Sequence, residues 1–315
     1  MRVLIATLTV GAGHVAAAAA LEEAWRKLRP GDTVERLDLL KFFSRLHQKL
    51  YAEGWVTVAT RAPELWGLVF DRTDSPEAAR RLRRTRRSFP SRSRTRFAQF
   101  VKSFQPNVVL CTHYLPVEAV GALKMARAAK ASHPDAPGAR RLETRVGPSA
   151  SSGRPSPMAP FVVSIVTDFE VHAIWMAPGV DLYCVAAEES KARLVARGAP
   201  AEDVVATGIP VAARFSTRLC QRAVRKALGL RDDLPILLVL GGGFGMGPVA
   251  EILRQLDKVQ QPMQTMVVCG RNEELRRELA VQDRQHPTRV LGFASNMHEL
   301  MAVSNLIVTK PGGLT

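Results

Sequence analysis

The sequence predicts an α/β fold made of two doubly wound lobes with a cleft between them. Short β-rich runs alternate with helical segments along the chain, a pattern that yields parallel sheets with right-handed crossovers. The alternation restarts after Gly208-Ile209-Pro210, which divides the chain into residues 1–208 and 209–315. Each part carries an early apolar run that ends in a glycine turn, Gly11-Ala12-Gly13-His14 in the first and Gly241 to Gly247 in the second. At 315 residues the chain is longer than one core usually supports, which agrees with two lobes.

Val3 to Thr7 reads as the first strand, followed by an alanine-rich helix from near His14 to Leu28 that Pro30-Gly31 stops. Val34 to Leu39 is a second strand. Leu39 to Phe70 is rich in aromatics (Phe42, Phe43, Tyr51, Trp55, Trp66 and Phe70) and predicts amphipathic helices broken at Pro63. Pro90 interrupts any helix in the arginine-rich run that follows. Next come a strand at 108–112, a helix at 117–131, strands at 161–166 and 182–185, a helix at 188–197 and a short strand at 204–207. Residues 133–160 hold six prolines among Ser and Gly and predict a disordered insertion. The second lobe reads as strands at 236–240, 265–269, 289–291 and 306–309, with helices at 248–256, 273–280 and 297–301.

Composition excludes several classes. The apolar fraction of 46% and charged fraction of 23% are those of a globular chain. No window approaches the roughly 18 apolar residues of a membrane span, so a soluble chain is expected. The four cysteines form no C-x-x-C pair, and neither a disulfide framework nor a zinc site follows. The net charge of +15 is concentrated. Nine arginines fall within residues 80–96 with no acid, and residues 140–154 add four more against Glu143.

The glycine turns are where chemistry is expected. A turn between a strand and a helix N-terminus brings free N–H groups and positive potential to a ligand. His14 stands at the first turn, though the spacing there fills the dinucleotide pattern imperfectly. Five glycines in seven residues, Gly241 to Gly247, read better as a phosphate cradle than as packing. Gly312-Gly313 would supply a second phosphate turn. Asp168, His172 and Trp175 follow a strand and admit two readings, an Asp N-cap with half-buried rings or a polar ligand-facing group.

These pieces together resemble the monogalactosyldiacylglycerol synthase and processive diacylglycerol glucosyltransferase family. The matching strings are GAGHVAAAAAL, VTDFEVHAIWMAPGVDLYCVAAEESKARLVARG, ATGIPV, LVLGGGFG, VVCGRNEEL and VLGFASNMHELMAVSNLIVTKPGGLT. Such proteins are GT-B glycosyltransferases related to the lipid II N-acetylglucosaminyltransferase. The resemblance implies inverting transfer of a hexose from a UDP-sugar to diacylglycerol, with the lipid on the first lobe and the nucleotide on the second. It implies His14 as general base. Donor contacts would come from Gly241, Gly242, Gly243, Arg271, Phe293, Met297, Gly312, Gly313 and Thr315. The acceptor side would hold Gly13, Pro63, Trp66, Asp168, His172 and Trp175. No metal or other cofactor is implied, because helix ends and backbone N–H groups would stabilise the departing UDP. The resemblance also implies a ribose-binding glutamate and further elements past Thr315, so the second lobe is expected to be incomplete.

The arginine run has its own readings. Beside the aromatic stretch it points to an anionic phospholipid surface, which implies a cytoplasmic protein peripheral on the inner face of the cell membrane. Phe42, Phe43, Trp55 and Trp66 would be the apolar contacts. Two other readings stand beside the enzyme: an inactive remnant that only binds membrane, and a nucleic-acid-binding protein, although no nucleic-acid partner is expected.

Overall fold

The computed structural model describes residues 1–9, 12–48, 67, 69, 71–85, 91–132, 159–243, 245 and 247–310. Pro63, Trp66, Gly312, Gly313 and Thr315 lie outside these residues, as do Trp55 and the 133–158 segment.

Residues 1–206 build a six-stranded, all-parallel sheet of order β2-β1-β3-β4-β5-β6. The strands are β1 (Arg2–Thr7), β2 (Thr33–Asp38), β3 (Val108–Cys111), β4 (Phe161–Ile165), β5 (Leu182–Val185) and β6 (Val204–Ala206). A parallel sheet is covered on both faces, so its strands read as continuous apolar runs. In β1 every residue from Val3 to Thr7 is buried. Helix α1 (Ala12–Leu28) contributes Ala18, Leu21 and Trp25 to one face, against Val3, Ile5, Leu110 and Val163. Its alanines let the helix lie close to the sheet, and its backbone begins at Ala12, so His14 sits inside the first turn.

The other face packs under α2 (Pro76–Thr85), α3 (Ser91–Phe104), α4 (Tyr114–Ser132) and α5 (Glu188–Ala196). Helices α2 and α3 carry the arginine run and lie on either side of Pro90. Helix α3 turns Phe97 and Val101 into the core and leaves Arg92, Arg94 and Arg96 exposed. Phe43 is buried in the same core, and Phe42 stacks edge-on against Phe97 at 5.5 Å. That corrects the expectation for both phenylalanines: they hold α3 to the sheet and are not free to enter a membrane. Gly121 in α4 allows a close crossing, since a Cβ there would stand 2.2 Å from Pro178 O.

The second sheet is also all parallel, in the order β10-β7-β8-β9. Its strands are β7 (Ile236–Leu240), β8 (Gln264–Val268), β9 (Thr288–Leu291) and β10 (Leu306–Thr309). Its helices are α6 (Gln221–Ala227), α7 (Val249–Leu256), α8 (Glu273–Ala280) and α9 (Met297–Val303). Every residue of β7 and β8 is buried, with Leu238 and Met266 on one face and Val239 and Val267 on the other. All four cysteines are free. Among the described residues no helix is long and apolar enough to cross a membrane.

Candidate active site at the two switch points

Open parallel sheets bind ligands where the strand order reverses, outside the C-terminal ends of the two strands that part company. In the first sheet that point lies between β1 and β3, which pair as Ala6↔Cys111. In the second it lies between β7 and β10, which pair as Leu240↔Thr309. The candidate residues gather at these two places.

At the first point, Thr7 ends β1 and Thr112 follows β3. Thr7 Oγ1 donates to the His14 carbonyl at 3.2 Å, and Thr112 Oγ1 lies 3.0 Å from that oxygen and 2.9 Å from Thr7 Oγ1. These hydroxyls tie the first turn of α1 to both strands. The His14 ring is held from three sides. Its Nδ1 is 2.7 Å from Thr167 Oγ1, beyond β4. His113 packs edge-on at 4.7 Å and Trp175 lies 6.2 Å away. Burial pushes the His14 pKa below the ordinary histidine value, and the charge of Asp168 opposes that shift only in part. The imidazole is therefore neutral at pH 7, the form that accepts a proton.

Asp168 is exposed, and Trp175 Nε1 donates to its Oδ2 at 3.0 Å. It neither caps a helix nor binds the His14 ring. The cap belongs to His172, which corrects the sequence reading. Buried His172 accepts from Ile174 N at 3.0 Å through Nδ1, at the start of a 3-10 turn, Ala173–Trp175. Its Nε2 lies 3.2 Å from Thr73 Oγ1. Both nitrogens are engaged within the fold, so His172 braces the 70s segment and does not face the cleft. Gly13 stays in the first turn of α1 beside His14.

At the second point the glycines prove to be needed for packing as well. A Cβ at Gly241 would stand 2.9 Å from Gly245 Cα, and one at Gly245 would stand 2.2 Å from Cys269 O. Gly242 and Gly245 have φ of +69° and +63°, in the left-handed region. The turn thus folds onto the loop after β8, where Arg271 N donates to Gly243 O at 3.1 Å. Packing accounts for Gly241 and Gly245, against the sequence reading, while Gly242 and Gly243 stay half-buried at the end of β7. Arg271 lies over the Phe293 ring at 5.5 Å, and that ring is 64% exposed. Met297 opens α9 on the same edge and packs against the second-lobe core. The two points adjoin, since a Cβ on Gly243 would stand 2.9 Å from Ala12 Cβ.

His113, Thr167 and Lys310 were not singled out from sequence. Each is a polar residue just past a strand that lines a switch point or its neighbour. That position, counted from the C-terminal end of each apolar run, is the signal that finds them.

Two parallel sheets with loops meeting at facing switch points define the GT-B class. The fold neighbours agree. HepE of Anabaena in complex with UDP-glucose superposes with a TM-score of 0.50 at 10% identity, covering 98% of this chain and 73% of its own. UDP-GlcNAc 2-epimerase from Neisseria meningitidis bound to UDP-GlcNAc gives 0.51 at 12%, covering 99% and 78%. Within that class the chain belongs to the monogalactosyldiacylglycerol (MGDG) synthase family, whose sequence profile matches residues 14–132 and 153–211. It is similar to processive diacylglycerol β-glucosyltransferases of Bacillus cereus (strain AH187) and Bacillus thuringiensis (strain Al Hakam), 36% identical to each over 157 residues. The match takes in 49% of this chain and 40% of each relative's length.

Proposed function

We propose that this protein transfers a hexose, with inversion, from a UDP-sugar to the hydroxyl of diacylglycerol. The lipid would sit on the first lobe and the nucleotide on the second. The observation that carries the reading is His14, buried and held by Thr167, His113 and Trp175 at one switch point, directly beside the glycine turn of the other. His14 Nδ1 lies 2.7 Å from Thr167 Oγ1. In the tautomer this reading requires, Nδ1 carries the proton and donates it to that hydroxyl, and Nε2 is left to take the acceptor proton. The freed oxygen attacks the anomeric carbon. The bond to UDP breaks with its electron pair on the β-phosphate oxygen, and the configuration inverts. Gly241 N–H is held by Val268 O at 3.0 Å, so the backbone N–H groups of Gly242 and Gly243 would face the departing charge, without a metal ion. Arg271 and Phe293 border the base, with Met297 behind them. Asp168 and Trp175 wall the acceptor side.

The direct test supplies diacylglycerol in phosphatidylglycerol vesicles with UDP-glucose, UDP-galactose or UDP-GlcNAc, EDTA being present throughout. A β-linked glycosyldiacylglycerol from one donor is the expected product. A protein that binds UDP yet makes none from any of the three would sink the reading.

Thr167 gives a narrower test. Thr167→Val removes the hydroxyl beside Nδ1 while keeping the shape of the side chain. The tautomer with Nε2 free is then no longer favoured, and kcat is expected to fall about 10- to 100-fold with KM little changed. Thr167→Ser should recover most of the rate. A Val variant with wild-type kcat would remove Thr167 from the mechanism.

The lipid acceptor stays in its bilayer, so the enzyme must dock to react. Arg80, Arg81, Arg92, Arg94 and Arg96 are exposed on α2 and α3, and each basic residue near an anionic surface adds about 1 kcal/mol. Cosedimentation with phosphatidylglycerol vesicles is expected, with little on phosphatidylcholine and release as salt rises. Replacing Arg80, Arg81, Arg92 and Arg94 by Ser should weaken it. Equal binding to both vesicles, or a salt-dependent shift with DNA alone, would refute the membrane role.

A further inference from the structure

We infer that Lys310 is a phosphate-binding residue, placed to neutralise the diphosphate of the leaving nucleotide; the inference rests on the donor reading above. Lys310 is the first residue past β10, and its neighbour Thr309 pairs with Leu240, so it stands abreast of Gly241 at the second switch point. Its stem lies along the glycine turn. A Cβ on Gly242 would meet Lys310 Cε at 2.9 Å and Nζ at 3.9 Å. Glycine at 242 therefore does two things: it adopts a φ of +69°, and it leaves the groove in which the lysine stem lies.

Part of the lobe's positive charge is neutralised within it. Arg231, Arg254, Arg276 and Arg284 each pair with an acid, Asp233, Glu251, Glu273 and Asp257. Among the described residues Lys310 forms no ion pair, and neither does Arg271 across the turn. Among the same residues no acceptor holds the N–H of Gly242 or Gly243. Two cations without acids and two open backbone donors thus converge on one turn. A multiply charged anion such as a diphosphate satisfies them together. Arg271 already rests on Phe293, where a base plane would lie, so the diphosphate falls to Lys310. The ammonium is a compact point charge with three donors, which suits phosphate oxygens as the sugar bond breaks.

Titration calorimetry with UDP, uridine and inorganic pyrophosphate tests this in the wild type and in Lys310→Met, Lys310→Arg and Lys226→Met. Methionine keeps a stem for Gly242 to hold and removes only the charge, and Lys226 is an exposed control on α6. UDP affinity in Lys310→Met is expected to fall about 10- to 100-fold, with pyrophosphate binding lost and uridine binding unchanged. Lys310→Arg should keep part of the affinity, and Lys226→Met should match the wild type. Unchanged UDP affinity in Lys310→Met, or an equal loss for UDP and uridine, would overturn the role of Lys310 alone. A wild type that binds no UDP would overturn the donor reading, and this inference with it.

Discussion

Replacing His14 by alanine is expected to lower transfer about 10²- to 10⁴-fold while UDP still binds, because a general base contributes on that scale. The neutral form of the imidazole does the work, so the pH profile carries more information than the rate alone. Burial holds the His14 pKa below its ordinary value. The sign follows directly. Above that pKa the base is free and kcat/KM is flat; below it the ring is protonated and kcat/KM falls. The acid limb should thus lie below about pH 6.5. Asp168 raises the pKa against burial, so Asp168→Asn should move the limb to lower pH while its amide oxygen still accepts from Trp175. A wild-type rate in His14→Ala, or an acid limb that stays where it was in Asp168→Asn, would remove these residues from the roles given. Stability is a separate readout. A histidine kept neutral by burial favours the unfolded chain once pH falls below the unfolded pKa, so His14→Ala should flatten the loss of stability in mild acid.

Much of this site was legible in the sequence, for a physical reason. Buried parallel strands must be uninterrupted apolar runs, so ILLVL at β7 and RVLIAT at β1 announce themselves, and so do the glycine turns that follow. What did not show was which polar side chain turns inward. Thr167 and Asp168 are adjacent and both polar, yet Thr167 is buried on His14 and Asp168 is exposed on Trp175. Strand alternation past Val166 decides that, and composition is silent on it. His172 looked like a ligand-facing group and is a buried cap, because its partner Thr73 is 99 residues away in sequence. Phe42 and Phe43 looked like a membrane-facing pair for the same reason. Their partner, Phe97, belongs to a helix that also carries Arg92, Arg94 and Arg96, and so the run read as a membrane-facing patch.

The glycine turn of the second lobe should tolerate least at Gly245, and the position-by-position contrast shows why. At Gly245 an alanine Cβ would stand 2.2 Å from Cys269 O and 2.6 Å from Asn272 Cβ, with φ fixed at +63°. Backbone cannot yield as a side-chain tip can. The left-handed residue costs about 1–2 kcal/mol and the overpacking about 1–3 kcal/mol more. Asn272 caps α8 by accepting from Leu275 N, so displacing it loosens that helix as well. Gly245→Ala should therefore lower the thermal midpoint of the second lobe and abolish UDP binding. Gly242→Val suffers the φ penalty too, but its steric neighbour is only the Lys310 stem, so its loss should be smaller. Gly247→Ala has open space and a φ of +103°, and should cost backbone strain alone. Gly243→Ala differs in kind. Its φ is not in the left-handed region, and its new Cβ would press on Ala12 of the first lobe at 2.9 Å. That variant should keep its midpoint while kcat falls, since the wedge separates the nucleotide turn from His14. Calorimetric melting and UDP titration across the four variants check the order. If Gly245→Ala melted and bound UDP like the wild type, the packing account of the turn would fail.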